Sequence, residues 1–274
     1  MRIRGSIFAM STCAMLACTG PASDEASDQA MVPTPGGPAT ADPAALVLAD
    51  SVVQASGGWE AWNEARYLEF TFVVSVEGSE RRRTAHRWDR TTGDCRVEGQ
   101  SGDGKPFLSI WNLHSGDGRA WLDGLELAGD EAHEQLEHAA ALAVNDGYWL
   151  LMPLKLHDPG VHLEDEGVRA DTLGKAWRVL ALHFDAGVGL TPGDRYWVYV
   201  DPATGTVGRW DYVLESFEPG TPPSEFSWDD WRQVGPLRLS MRKLSADGRV
   251  EIRYEGVTAL PSPSPGAFAV EAGT

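Results

Sequence analysis

His133-Glu134-Gln135-Leu136-Glu137-His138 comes within one residue of H-E-x-x-H, the helical pattern in which two histidines hold zinc and a glutamate works as base. That pattern depends on histidines four apart sharing a helix face. Five apart, they stand about 140° around the axis, and both rings cannot reach one metal. The expected role of this segment is a solvated charged face. The remaining histidines, His86, His114, His157, His162 and His183, fall on strands and turns with no spacing that unites them. A pH-sensing cluster formed in the fold is the reserve reading. The chain contains no G-x-S-x-G elbow, no phosphate-binding G-x-x-x-x-G-K-[ST] loop and no G-x-G-x-x-G. Asp229 and Asp230 are adjacent on a strand and point to opposite faces, and Cys95 has no evident base beside it. The sequence therefore leads us to expect no catalytic residue, no metal ligand and no cofactor. A hydrolase would need a site assembled entirely by the fold.

The chemistry that remains is apolar. Eleven tryptophans stand against six tyrosines, and indole is the largest apolar side chain, with a single donor. One run, Asn145 to Val161, gathers Tyr148, Trp149, Leu150, Leu151 and Met152 ahead of Pro153, and then reaches a turn at Asp158-Pro159-Gly160. Phe70, Phe72, Trp88, Trp111, Tyr148, Trp149, Leu151, Met152, Trp197, Trp210 and Trp228 form the candidate binding set. Two readings stand for them. They fill a core under a wide sheet, or several of them line a cavity that accepts acyl chains or another apolar molecule.

The elements that must position these side chains are mostly strands. Leu68, Phe70, Phe72, Val74 and Val76 alternate with Glu69, Thr71 and Ser75 over Tyr67 to Glu77, the period of a half-buried strand. Similar runs follow between turn signals, including Thr84 to Asp89, Phe107 to Leu113, Arg119 to Leu127, Ala176 to Phe184, Arg195 to Asp201, Phe226 to Gln233 and Leu237 to Leu244. Connections this short require antiparallel neighbours. Helices are expected over Ala44 to Gln54 and over Asp130 to Val144. The second of these leads into the Tyr148 plug and must stop at or before Met152, because the residue before proline is pushed out of the α region. The resulting expectation is a mainly β, α+β fold. It has a wide, strongly curved antiparallel sheet or half-open barrel of about ten strands, an N-terminal helix and a helical plug.

A formal net charge of -17 over 274 residues disfavours nucleic acid and anionic membrane surfaces as partners. Arg2 and Arg4 precede an uncharged run, Ser6 to Ala17, far short of the ~20 residues that cross a bilayer. This is an export signal. Met15-Leu16-Ala17-Cys18 resembles the lipobox of bacterial lipoproteins, which implies cleavage before Cys18, lipidation of its thiol and a membrane attachment through the acyl anchor. An ordinary signal peptide cut nearby is the alternative. By the same resemblance, Thr19 after the cysteine favours the outer membrane of a Gram-negative cell. Residues 18–42 are rich in Pro, Gly, Ala and Ser and read as a tether. Residues 43–260 form one domain, and 261–274 an irregular tail. Once Cys13 leaves with the signal and Cys18 is modified, no second cysteine remains to form a disulfide with Cys95, so stability is expected to rest on the core and not on disulfides.

Residues Tyr148-Trp149-Leu150-Leu151-Met152-Pro153-x-Lys155-Leu156-x-Asp158-Pro159-Gly160-Val161, followed by Thr191-Pro192-Gly193-Asp194 before a Tyr-Trp strand, resemble a family of bacterial lipoproteins from which no activity carries over. A Gly-Gly-Trp-x-x-Trp entry at Gly57, a long meander and a helical interruption also resemble the half-barrel carriers of the LolA/LolB type, which sort outer-membrane lipoproteins. The resemblance implies a non-enzymatic envelope protein that binds a lipid, an acyl chain or another hydrophobic small molecule. An envelope scaffold with a solid core is the alternative.

Overall fold

The computed structural model describes residue 38 and residues 40–270. The export signal, Cys18 and most of the tether lie outside the described residues, as do residues 271–274.

Helix α1 (Pro43–Ala55) starts where Asp42 accepts the Ala45 N–H at 2.7 Å, with Pro43 in the first turn where its missing N–H costs nothing. It buries Ala45, Leu48, Ala49, Val52 and Val53, a stripe at helical spacing. Gly57 turns the chain into α2 (Gly58–Glu64) at φ 114°, a conformation that L side chains rarely adopt. A β-carbon there would also lie 2.9 Å from the Pro236 carbonyl oxygen, so both backbone and space demand glycine.

Six strands follow: β2 (Tyr67–Val76), β3 (Ser79–Asp89), β4 (Asp94–Gln100), β5 (Pro106–Asn112), β6 (Gly118–Leu122) and β7 (Leu125–Glu126). Helix α3 (Gly129–Leu151) then intervenes. After it come β8 (Val161–Ala170), β9 (Ala176–Phe184), β10 (Arg195–Val200), β11 (Val207–Val213), β12 (Ser224–Val234), β13 (Leu237–Ser245) and β14 (Val250–Leu260). With β1 (Thr40–Ala41) they form one sheet in the order β1-β8-β9-β10-β11-β12-β13-β14-β2-β3-β4-β5-β6-β7. Two antiparallel meanders are thus joined by the pairing of β14 with β2, nine residue pairs from Val250↔Val76 to Leu260↔Tyr67.

The expectation of a mainly β fold with an N-terminal helix is met, and three details of it are corrected. Fourteen strands are present among the described residues, where about ten were expected, and the sheet is mixed because β1 runs parallel to β8. It is also neither closed nor strongly curled, since β1 and β7 stand at opposite ends of the strand order. The physical reason lies in the helices: α1 packs on β8 and β9, α2 on β13, and α3 on β4, β5, β6 and β13. An apolar sheet face covered in this way needs no closure to leave water. Among the described residues no helix is long and apolar enough to cross a membrane.

The face away from the helices carries arginine–carboxylate pairs, such as Arg87–Glu69 at 3.2 Å and Arg209–Asp211 at 2.6 Å. Residues 261–270 are irregular yet fastened to this face. Arg87 donates to the Ala267 carbonyl at 2.9 Å, Arg96 donates to that of Ala269 at 2.5 Å, and Phe268 meets Tyr67 edge-on at 6.2 Å.

Candidate functional site

The Asn145 to Val161 run is not a separate plug. Its first half forms the last two turns of α3, which ends at Leu151 and tightens into a 3₁₀ turn over Met152–Leu154. The α-helix stops at Leu151 as expected, but not for the expected reason: Met152, before the proline, keeps α dihedrals (φ -46°, ψ -41°), and Pro153, which has no N–H for the helical ladder, sits inside the 3₁₀ turn. Two flanks of this helix face the sheet differently. Trp149 meets the Trp210 ring at 4.5 Å, Phe226 at 5.1 Å and Tyr212 at 5.9 Å, and Trp210 in turn meets Trp228 at 5.7 Å. This is a dense aromatic stack under β11 and β12, with Trp210 and Trp228 almost completely buried.

The other flank, residues 143, 144, 147, 148 and 151, borders a cavity of about 20 Å³ under β2, β3 and β4. Its walls include Trp62, Phe70, His86, Trp88, Tyr148 and Leu151. Gly147 belongs to this wall and is buried, yet a β-carbon placed on it would meet nothing within 4 Å. Glycine inside a helix sacrifices about 1 kcal/mol relative to alanine, and here it keeps space open. Four wall residues carry a buried polar atom without a hydrogen-bond partner: Trp62 Nε1, His86 Nδ1, Trp88 Nε1 and the Tyr148 hydroxyl. Burial raises the Tyr148 phenol far above its ordinary range, with the nearby charge of Asp158 adding to the effect, so it stays a neutral donor.

Charged groups flank the same cavity. Asp146, fully buried on α3, receives Arg82 Nη2 at 2.6 Å, His86 Nε2 at 2.9 Å and Asn145 Nδ2 at 2.8 Å. Burial alone would raise its carboxyl, but Arg82, His86 and Asn145 outweigh that and hold it below the usual carboxylate range. A bond from His86 Nε2–H to this carboxylate leaves Nδ1 an acceptor in the neutral ring and a donor in the protonated one. His86 also stacks on Phe70 at 4.8 Å. Lys155 also borders the cavity, and its Nζ lies 2.5 Å from Asp158 Oδ2. Burial pushes the Asp158 carboxyl up despite this lysine. Arg90 covers Trp62 at 3.4 Å and donates to the Trp62 and Ala65 carbonyls, which fastens α2 to the sheet.

The structure divides the candidate residues. Phe70, Trp88, Tyr148 and Leu151 border the cavity, whereas Trp149, Trp210 and Trp228 belong to the aromatic stack. Phe72 packs edge-on to Tyr254 at 5.4 Å, and Met152 and Trp111 are buried away from the cavity wall. Trp197 lies on the far face, where its indole donates to Glu166 Oε1 at 3.1 Å. Cys18 lies outside the described residues. His133 is exposed beside Glu137 at 3.3 Å while His138 turns to Phe107 at 5.9 Å, the divergence that their spacing demands. His162 and His183 stack at 4.6 Å near the sheet end, with His162 bonded to Thr40 Oγ1 and Asp185 Oδ1, each at 2.6 Å. Among the described residues no three His, Cys, Asp or Glu side chains gather as a metal would need.

Sequence reasoning missed Asp146, His86 and Lys243 as interior polar groups. Asp146 had a signal: Ala139, Ala143, Asp146 and Leu150 fall on one helical stripe, and a carboxylate there must find partners or protonate. Lys243 is completely buried between the faces of Trp228 (4.3 Å) and Tyr254 (4.5 Å), donates to the Ser240 carbonyl at 2.7 Å, and is pushed well below the usual lysine range by burial.

No protein-family profile matches the chain, and no curated protein matches it. Several solved structures are similar to it. A DUF1329 family protein from Desulfovibrio piger is 14% identical and covers 83% of this chain and 98% of its own, with a TM-score of 0.46. A putative outer membrane lipoprotein-sorting protein domain from Vibrio parahaemolyticus is 11% identical over 82% and 96%, with a TM-score of 0.45. A LolA superfamily protein from Nitrosomonas europaea is 12% identical over 81% and 97%, with a TM-score of 0.41. LolA-type proteins, named above by resemblance, are therefore among the structural neighbours.

Proposed function

We propose that this chain is a non-enzymatic cell-envelope lipoprotein, anchored through Cys18 on the periplasmic face of the outer membrane, that binds a lipid or another apolar small molecule between α3 and the sheet. The envelope part of the reading rests on the Arg2-to-Cys18 export and lipobox pattern. The ligand part rests on one observation: the flank of α3 around Gly147 borders a small cavity walled by Phe70 and Trp88, where even a β-carbon on Gly147 would meet nothing within 4 Å. At about 20 Å³ the cavity holds a group of water size and not an acyl chain, so a longer ligand requires α3 to move off β3 and β4.

Native mass spectrometry of the protein purified from envelopes, followed by organic extraction, tests the reading. A stoichiometric apolar species is the expected result, and a ligand-free protein that takes up no lipid when offered one overturns it. A second reading, an envelope scaffold with no ligand, is favoured by the dense packing of Trp149 on Trp210 and Phe226. A hydrolase has the weakest support. The buried carboxylate of Asp146 meets one histidine, and the His162–His183–Asp185 group has both His162 nitrogens engaged.

A further inference from the structure

Helix α1 has a second face. Its buried stripe, Ala45, Leu48, Ala49, Val52 and Val53, lies on β8 and β9, and its outward side carries Asp50 and Gln54, as an amphipathic helix should. Val47 breaks that pattern: it shares the outward side and is 70% exposed. Beside it opens a groove of about 330 Å³, lined by Ala44, Val47, Leu48 and Ser51 of α1, Arg178 of β9 and Pro202 in the β10–β11 turn. The two polar lining residues are already engaged, since the Ser51 hydroxyl donates to the Leu48 carbonyl at 2.6 Å and the Arg178 guanidinium pairs with Asp165. What the groove offers an occupant is aliphatic surface.

The chain itself passes this place. Thr40 pairs with His162 in β1, Asp42 caps α1, and Ala44 at the mouth of the groove follows two residues later. Among the preceding residues 19–39, Met31 and Val32 are the only large apolar side chains; the others are Gly, Ala, Ser, Thr, Pro, Gln, Asp and Glu. Gly36-Gly37 lies between that pair and β1, and glycine accepts the φ values that a reversal of the chain needs. The stretch from Met31 to Thr40 reaches up to about 30 Å when extended, against the roughly 10 Å that α1 runs from Ala44 to Ser51. Pro33 has no N–H to give to a sheet or a helix, so burial of side chains is what this segment has to contribute.

We infer that Met31, Val32 and Pro33 fold back into this groove and cover Val47, so that the domain holds the end of its own tether. The inference stands apart from the ligand reading, and either falls without the other. With Cys18 as the anchored residue, docking cuts the free tether from residues 19–39 to residues 19–30 and its r.m.s. span from roughly 25 Å to roughly 19 Å. The α1 side of the sheet is then the side held toward the membrane.

Amide hydrogen exchange, read by mass spectrometry on the chain from residue 18 onward with Cys18→Ser, tests it. After correction for intrinsic rates, residues 30–34 should exchange at least about tenfold more slowly than residues 22–28 of the same molecule. Val47→Asp and Met31→Asp should each return residues 30–34 to the rate of residues 22–28. Because Val47 is exposed, the melting temperature of Val47→Asp should stay within a few degrees of wild type. Exchange of residues 30–34 at the intrinsic rate in the wild type overturns the inference, and so does protection that survives Val47→Asp. Protection that disappears on dilution overturns it as well, because the groove is then filled by a second copy of the chain.

Discussion

The Trp149 ring sits 4.5 Å from the Trp210 ring, each almost wholly buried, and these two side chains lock the end of α3 to the middle of the sheet. Truncation of Trp149 to alanine leaves a large cavity facing Trp210, Tyr212 and Phe226. The expected loss is about 3–5 kcal/mol of unfolding free energy, measured by denaturant titration. A loss below about 1 kcal/mol would show that the stack adapts and that Trp149 does not fasten the helix.

Asp146 is the second point of attachment. Asp146→Ala removes the acceptor shared by Arg82, His86 and Asn145 and should destabilise by about 3 kcal/mol, the lower part of the range for breaking a buried pair, because Arg82 is partly exposed. Since the folded-state carboxyl is held below its ordinary 3.8, its contribution is complete above about pH 4 and is lost as pH falls through the lower folded value. Asp146→Asn should therefore flatten the acid limb of the stability curve, and an unchanged acid limb would contradict the assignment.

Lys243 works against the fold at neutral pH. Burial lowers its pKa, so the unfolded chain binds a proton that the folded one resists, and wild-type stability rises with pH up to the ordinary lysine value of 10.5. Lys243→Met keeps the volume between Trp228 and Tyr254 and should gain on the order of 1 kcal/mol at pH 7, since replacing buried charge by well-packed apolar groups is often stabilising. The advantage over wild type should shrink as the pH approaches 10. Thermal melts across that range check it, and an advantage independent of pH would contradict it.

Gly57→Ala combines a forbidden φ with a close approach to the Pro236 carbonyl. A cost of about 1–3 kcal/mol is expected. Its signature is loosening of α2 against β13, visible as faster amide exchange around Trp62 than around Trp149.

Much of this architecture was legible in residue order. The strand over Ala176–Phe184 is where alternation placed it, and α3 ends just before Met152-Pro153 because the missing proline N–H is a local property of the sequence. Where the outcome depended on distant partners, the order of residues was silent. Arg119 to Leu127 read as one strand, but Asp123 and Gly124 both take positive φ and split it into β6 and β7. Trp197 was grouped with inward tryptophans for its size, although Tyr196, Val198 and Val200 are the core-facing set of its own strand. The curvature expected from strand number ignored how fully three helices cover one face. Likewise, His86 and Asp146 are sixty residues apart, and nothing local pairs them.

A sheet of this width ends in two borders where a stranger's strand could join it, the route by which β proteins polymerise. Both borders are guarded here. One is closed by β7, two residues long and preceded by the tight Asp123-Gly124 turn, which leaves hardly any backbone to copy. At the other, β1 masks His162 and Leu163, and beyond it β8 breaks register between Asp165 and Val168 amid Glu164, Asp165, Glu166 and Arg169. The broken register and the charges spoil that template. The sheet is thereby equipped against edge-to-edge pairing, and lengthening β7 or deleting residues 40–41 is the change that would invite fibres.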